Sequence, residues 1–356
     1  MNEYAQTAIE YLKQLVAIPS VSRDEDKTAH LLAEILQHNG CKVSRKGNNV
    51  WTTHFIDPAL PTILLNSHHD TVKPTSSWSR DPFTPVIEAN RLYGLGSNDA
   101  GASLVSLLMV FLHFAEKKEG SFNLIYAATA EEEVTGKGGI SLIIDELPHL
   151  DLAIVGEPTQ MRMAVAEKGL MVLDCVTRGQ SGHAAREEGI NALYLALEDI
   201  AWFRSFRFPQ ESELLGPVKM SVTVIQSGYQ HNIVPDTCNF VVDVRTNEFY
   251  KNSEALEIIR AAMKHTEVTP RSTHINSSRI ETSHPIVQKA LSMGTEIFGS
   301  PTTSDQARIP YTSLKMGPGN SARSHTADEY IGLQEVEEGI AGYIALLNNL
   351  DIREAR

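Results

Sequence analysis

Seven side chains that could bind metal or move protons sit where apolar runs break off: His68, Asp99, Glu131, Glu132, Glu133, Glu157 and His325. Strand-like stretches at 61–66, 122–129 and 151–155 lead directly into His68, the glutamate run and Glu157. Ligands of open α/β sheets bind at the carboxyl ends of strands, so this placement predicts one site gathered from the whole chain. Nitrogen and oxygen donors without a thiolate suit Zn²⁺, Co²⁺ or Mn²⁺. A carboxylate bridging two such ions holds them roughly 3.5 to 4 Å apart. Consecutive glutamates at a strand end diverge, so that one carboxylate can coordinate metal while its neighbour takes a proton from water. Asp70, two residues beyond His68 on an extended segment, returns to the same side and is positioned to orient that imidazole. His69 points the other way and reads as structural. Each signal has a plainer reading alone: an acidic triplet as a solvated loop, Asp99 as a cap beside a helix start, His-x-Asp as coincidence.

The elements that must position these residues alternate. Apolar periodicity predicts helices over 3–17, 27–38, 102–117 and 138–146, and strands over 49–54, 61–66, 122–129 and 151–155, the rhythm of βα units around a mainly parallel sheet. From about Glu167 the pattern becomes strand 169–177, helix 191–203, strands 218–226 and 238–245, helix 253–265 and a strand near Val268, a compact α+β unit. Helices at 285–298 and 334–350 and a strand at 313–316 follow. The expected fold is therefore α/β, a mixed, mainly parallel sheet flanked by helices. Residues 1–167 and 273–356 form the metal-bearing domain, and 168–272 an inserted ferredoxin-like lid and dimerisation domain.

Composition narrows the function classes. The chain has 356 residues, enough for two cores. With 31 basic and 44 acidic residues it carries a formal charge of -13, which argues against nucleic-acid or anionic-membrane partners. Residues 102–115 are the most apolar, but the run is shorter than the ~20 residues a spanning helix needs and contains His113, so a buried helix is expected. Met1-Asn2-Glu3-Tyr4 lacks the basic and apolar blocks of a secretory signal, and Cys41, Cys175 and Cys238 form neither a disulfide framework nor a thiolate metal pattern. A cytoplasmic enzyme is the expectation.

Six ordered motifs, Leu65-Asn66-Ser67-His68-His69-Asp70-Thr71-Val72, Gly96-Ser97-Asn98-Asp99, Thr129-Ala130-Glu131-Glu132-Glu133, Gly156-Glu157-Pro158-Thr159, Gly179-Gln180-Ser181-Gly182-His183 and Gly317-Pro318-Gly319-Asn320 before His325, span almost the whole chain. Together they resemble the dinuclear zinc hydrolases that include acetylornithine deacetylase, succinyl-diaminopimelate desuccinylase, aminoacylase and glutamate carboxypeptidase, with the acetylornithine deacetylase branch the nearest in character. The resemblance implies two divalent metal ions, most readily zinc: His68 and Glu157 on one, Glu133 and His325 on the other, Asp99 as bridge, Asp70 orienting His68 and Glu132 as general base. A one-residue slip, with Glu131 as base and Glu132 as ligand, stays open. By the same resemblance His183 comes from the lid of a second subunit to meet the oxyanion, which implies a homodimer. Asn232, Arg245, Ser304 and Asn320 resemble substrate contacts, and Arg245 suits a bidentate grip on an α-carboxylate.

The implied reaction is hydrolysis of an N-acyl amino acid, an N-acetyl or N-succinyl ornithine or citrulline, in arginine biosynthesis. Two other readings remain: a dipeptidase or carboxypeptidase with the same metals, and a silent metal or amino-acid binding protein. The chain departs from many relatives after Asp99, where Ala100-Gly101-Ala102 replaces Met-Lys-Gly and the lysine is lost.

Overall fold

Local rules account for the first helix of the computed structural model, which describes residues 1–117, 119–186 and 188–353. Asn2 accepts the backbone N–H of Ala5 at 2.9 Å and caps helix Glu3–Val16, whose Ala5, Ala8, Ile9, Leu12, Leu15 and Val16 form one buried stripe. Helices Ala102–Ala115 and Leu333–Leu347 pack with it, and Ala102–Ala115 lies against strands Thr62–His68, Asn123–Thr129 and Leu152–Gly156. On the opposite face Leu64, Ile125, Ala127, Ala153 and Val155 meet Ile140, Ile143, Leu147 and Ile309. Both faces of the sheet are covered, so these three strands are buried along their whole length.

The sheet runs in the order Val43–Lys46, Asn49–His54, Asn123–Thr129, Thr62–His68, Leu152–Gly156, Ser313–Met316, Met163–Glu167. The four strands from Asn123–Thr129 to Ser313–Met316 are mutually parallel, and antiparallel strands flank them on either side. This is the mainly parallel α/β sheet the periodicity called for. His68 lies level with Thr129, and Met316 with Gly156. The parallel strands therefore end together, and the chain leaves each end into a candidate-bearing loop. A Cβ on Gly156 would come within 2.7 Å of Leu107 and 2.9 Å of Ser103, so only glycine lets helix Ala102–Ala115 close against the strand that delivers Glu157.

The chain divides into two compact units, one of Met1–Val165, Arg279–Phe298 and Ser304–Arg356, the other of Ala166–Ser278 with Gly299–Thr303. The second unit runs strand Met171–Arg178, helix Ala192–Ser205, strands Lys219–Ser227 and Thr237–Arg245, helix Asn252–Ala262 and strand Thr266–Pro270. Its antiparallel sheet has Thr237–Arg245 and Met171–Arg178 at the centre and Lys219–Ser227 and Thr266–Pro270 at the edges, a ferredoxin-like order. Met171, Leu173 and Cys175 and, across from them, Cys238, Phe240, Val242 and Val244 turn inward onto Phe203 and Ile259. The residues between them do not, giving the period-2 pattern of a sheet covered on one face.

Three sequence expectations need correction. The helix expected over 285–298 ends at Ser292: Gly294 turns the chain at φ +81°, and Ile297–Ser300 is a strand. The helix expected over 138–146 is a single turn, Ile140–Ile143, tightening into a 3₁₀ turn, Ile144–Glu146. A small sheet of Val86–Glu88, Arg91–Tyr93 and Tyr330–Gly332 gave no usable signal, because strands of three residues are too short to show a period.

Candidate metal centre

All seven candidates belong to the first unit, and the fold brings six of them together, all but Glu131. Nε2 of His68 lies 3.3 Å from Asp99 Oδ1 and 3.9 Å from Glu157 Oε1. Nε2 of His325 lies 2.9 Å from Glu133 Oε2 and 3.7 Å from Asp99 Oδ2. The two oxygens of Asp99 thus face two different imidazoles. Donor atoms of His68, Asp99 and Glu133 lie within 4.8 Å of one another, as do those of His68, Glu132 and Glu157.

The donor set fits divalent cations. Nδ1 of His68 lies 2.9 Å from the carbonyl oxygen of Asp70, which can only accept, so Nδ1 carries the hydrogen and Nε2 turns its lone pair toward two carboxylates. Lone pairs set against lone pairs in a buried site repel unless a cation lies between them. A proton can take that place. Burial alone would lower the pKa of His68, yet hydrogen bonds to Asp70 and Asp99 hold it well above the usual imidazole range. Burial, with Asp99 beside it, pushes Glu157 up to about 8, and burial with Glu157, Asp305 and Glu133 nearby raises Glu132 well above an ordinary carboxylate. The hydrogen bond that His325 donates to Glu133 holds its pKa up to about 9. Four carboxylates against two imidazoles leave an excess of negative charge that two divalent ions would neutralise.

The loops are held by further buried carboxylates. Asp70 accepts the backbone N–H of Glu132 at 3.0 Å, that of Glu133 at 3.2 Å and the Ser22 hydroxyl at 2.6 Å. Its carboxylate also stands 3.5 Å from His68 Nδ1, beyond its own carbonyl, so it serves both the imidazole and the glutamate loop. Glu25 accepts the N–H of Glu131 at 3.3 Å. Glu131 itself, at φ +53°, folds back to accept the N–H of Gly138 at 3.1 Å and does not join the donor groups. His69 is buried between the Thr28 hydroxyl and the Asn48 carbonyl, and burial lowers its pKa to about 4.

The remaining candidates are placed differently. His183, Asn232 and Arg245 lie in the second unit. There the Ala184 N–H donates to the Asn232 carbonyl at 3.1 Å, which joins the loops bearing His183 and Asn232. Nδ1 of His183 accepts the N–H of Ala185 at 3.2 Å, so Nε2 carries the hydrogen of the neutral ring, and the side chain is exposed. Arg245 is forked onto Asp243 through Nε at 2.8 Å and Nη2 at 3.0 Å, with Nη1 3.4 Å from the Thr303 hydroxyl. Ser304 and Asn320, in the first unit, cap 3₁₀ turns: Ser304 accepts from Gln306 at 3.3 Å and Asn320 from Ala322 at 2.9 Å. Sequence reasoning missed Glu329, whose buried carboxylate accepts three N–H groups from the Asp99 turn. An isolated glutamate four residues past a histidine carries no signal.

The sequence model of the peptidase family M20/M25/M40 matches residues 64–349, most of the chain. The chain belongs to that family. Among its relatives, acetylornithine deacetylase of Proteus mirabilis is 25% identical over 95% of this chain and 95% of that protein. Among solved structures, a tripeptidase from Staphylococcus aureus superposes with a TM-score of 0.80 at 19% identity, covering 96% of this chain and 97% of that one. A Bacillus subtilis protein described as a dinuclear metal-binding peptidase of the M20 family gives a TM-score of 0.73 at 13% identity, covering 97% of each chain. The chain is thus an M20-family hydrolase with a candidate metal site at the carboxyl edge of its parallel sheet.

Proposed function

We propose that this M20-family hydrolase uses two divalent metal ions, zinc foremost, to cleave the amide bond of an N-acyl-L-amino acid. The substrate is of the N-acetyl- or N-succinyl-ornithine or -citrulline type, used in arginine biosynthesis in the cytoplasm. The observation that carries the proposal is Asp99, whose two oxygens face His68 and His325 while Glu132 stands in the same donor group as His68 and Glu157. His68, Glu157 and Asp99 would hold one ion, and Glu133, His325 and Asp99 the other. When bound, such ions acidify water and polarise the scissile carbonyl.

Glu132 then acts as general base and acid. Buried among carboxylates, it has a raised proton affinity, which suits a group that must take a proton from water and return it to the leaving amine. Glu131 is committed to Gly138, which favours Glu132 over the one-residue slip. Asp70 keeps Glu132 and Glu133 in place through their N–H groups. By the family resemblance, Nε2–H of His183 from the lid of a second subunit would donate to the oxyanion, Asn232 of the lid would add a polar contact, and the Arg245 guanidinium would meet an α-carboxylate. Ser304 and Asn320 remain candidate substrate contacts once their local caps open.

A homodimer is part of this reading. Edge strand Lys219–Ser227 exposes Val224 and Ile225, and Tyr194 and Leu197 are exposed on helix Ala192–Ser205 of the same unit. An exposed apolar edge strand invites pairing with a second copy. The free Cys41, Cys175 and Cys238 suit a reducing compartment.

A peptidase is the second reading, favoured by the tripeptidase likeness in fold. The deciding experiment measures amine release by zinc-loaded protein from matched N-acetyl and N-succinyl forms of ornithine and citrulline, beside a dipeptide panel and a Glu132→Ala control. Turnover of one acyl series, abolished in the control, supports the deacylase and names the acyl group. Turnover of dipeptides alone transfers the assignment to a peptidase.

A further inference from the structure

The turn carrying Asp99 is irregular. Gly96 sits at φ +75°, and Asp99 (φ -115°, ψ 100°) and Ala100 (φ -116°, ψ 31°) are non-helical just before helix Ala102–Ala115. Backbone N–H groups ahead of a helix have no intrahelical acceptor, and buried ones need a partner from elsewhere. Glu329 provides it. One carboxylate oxygen accepts Asn98 N–H at 2.8 Å and Asp99 N–H at 2.9 Å, and the other accepts Gly96 N–H at 3.2 Å. Glu329 as a whole is 2% exposed. The Glu329 carbonyl also accepts the N–H of Gly94 at 3.0 Å, and the next residue, Tyr330, pairs with Tyr93.

Glu329 follows His325 by four residues on the same loop. Whatever holds Glu329 to the Asp99 turn therefore limits where His325 can stand relative to Asp99. We propose that Glu329 is a positioning residue that staples the His325 loop onto the Asp99 turn and so sets the separation of Asp99 Oδ2 and His325 Nε2, two of the three ligands of one metal. This rests on the two-metal reading above. Holding the Asp99 N–H fixes the peptide plane from which its side chain leaves and so narrows where its two carboxylate oxygens can stand between the imidazoles. Asn98 adds a parallel tie, its side chain accepting from Asn320 N–H at 2.9 Å and donating to the Asn320 carbonyl at 3.1 Å.

A matched control exists in the second unit. Asp199, also 2% exposed, accepts the N–H groups of Lys264 and His265 at 3.0 Å and the Thr266 hydroxyl at 2.6 Å, with no candidate ligand attached. The test titrates cobalt(II) into metal-stripped protein and reads visible absorption and chelator competition, with thermal melting of the metal-free forms alongside. Glu329→Gln should weaken cobalt binding about 10- to 100-fold, as loss of a group that orients a ligand does, and should alter the absorption band. Asp199→Asn should lower the melting temperature while leaving cobalt affinity and band as in the wild type. If Glu329→Gln is recovered only in aggregates, Glu329→Asp, which keeps the charge but shortens its reach, carries the same expectation. Wild-type cobalt affinity and spectrum in a Glu329 variant overturn the inference, as does an equal loss in Asp199→Asn. A wild-type protein that binds no pair of cobalt ions overturns the proposed function as well, which separates the two failures.

Discussion

The two units bury their strands in opposite ways. In the first, Thr62–His68, Asn123–Thr129 and Leu152–Gly156 are buried at every position, and the N–H groups of the loop after Asn123–Thr129 are taken by Asp70 and Glu25, as those of the Asp99 turn are by Glu329. In the second, Met171–Arg178 and Thr237–Arg245 alternate between buried and partly open positions, and His183 and Asn232 stand exposed on loops. Covering both faces of a sheet lets strand ends be fixed by surrounding structure. Covering one face leaves polar side chains open to a ligand. Metal ligation needs the first arrangement, because small displacements of a ligand cost affinity, while capture of a mobile substrate can use the second.

Breaking the rigid edge should give the largest effect. Glu132→Gln should lower turnover of the amide substrate by about 10²- to 10⁴-fold with metal affinity nearly unchanged, as measured by steady-state kinetics beside metal titration. Loss of metal with loss of turnover would make Glu132 a ligand and revive the slipped register. In the second unit the comparable break is in the core: Phe240→Ala, at a side chain 1% exposed, should cost about 3 to 5 kcal/mol in denaturant unfolding. A much smaller cost would mean that this unit's core is less closely packed than its inward stripe indicates.

Metal removal sharpens the contrast. At a thousandfold excess of free ion over Kd, binding should stabilise the protein by about 4 kcal/mol, so chelation should lower the melting temperature. In the metal-free site His325 is held at about 9 and Glu157 at about 8, so both carry protons at pH 7. Ligands bind metal deprotonated. Zinc uptake at pH 7 should therefore release protons, and affinity should rise with pH until about 9 and fall as pH drops below 8. Titration in weakly buffered solution with a pH indicator reads this directly, and uptake without proton release would place the ion elsewhere. The smallest effect is expected at the open edge. Ile225→Lys, at an exposed position, should change monomer stability by about 0.5 kcal/mol or less yet convert the proposed dimer to monomer in sedimentation. An unaltered sedimentation coefficient would move the interface away from this strand.

Much of the architecture was legible along the chain because it is written in local periodicity. Asn49–His54 and Ser313–Met316 were read with their observed bounds, and helix Ala102–Ala115 and strand Asn123–Thr129 within two residues at each end. Where the reading failed, the signal was short or contradicted by one residue: three-residue strands have no period, and Gly294 ends a helix that its flanking apolar residues would continue.

By itself the sequence determined which residue types stand at the strand ends, the α/β rhythm that places them there and, through six ordered motifs, the family to look to. Only the tertiary structure decided that both oxygens of Asp99 face imidazoles from opposite ends of the chain, that Glu131 turns away to Gly138, and that Asp70 and Glu329 spend their carboxylates on backbone N–H groups. The reason is physical. Periodicity records which face of an element is buried, whereas the aim of a carboxylate depends on loop dihedrals, such as φ +53° at Glu131 and φ +59° at His325, that contacts distant in sequence impose.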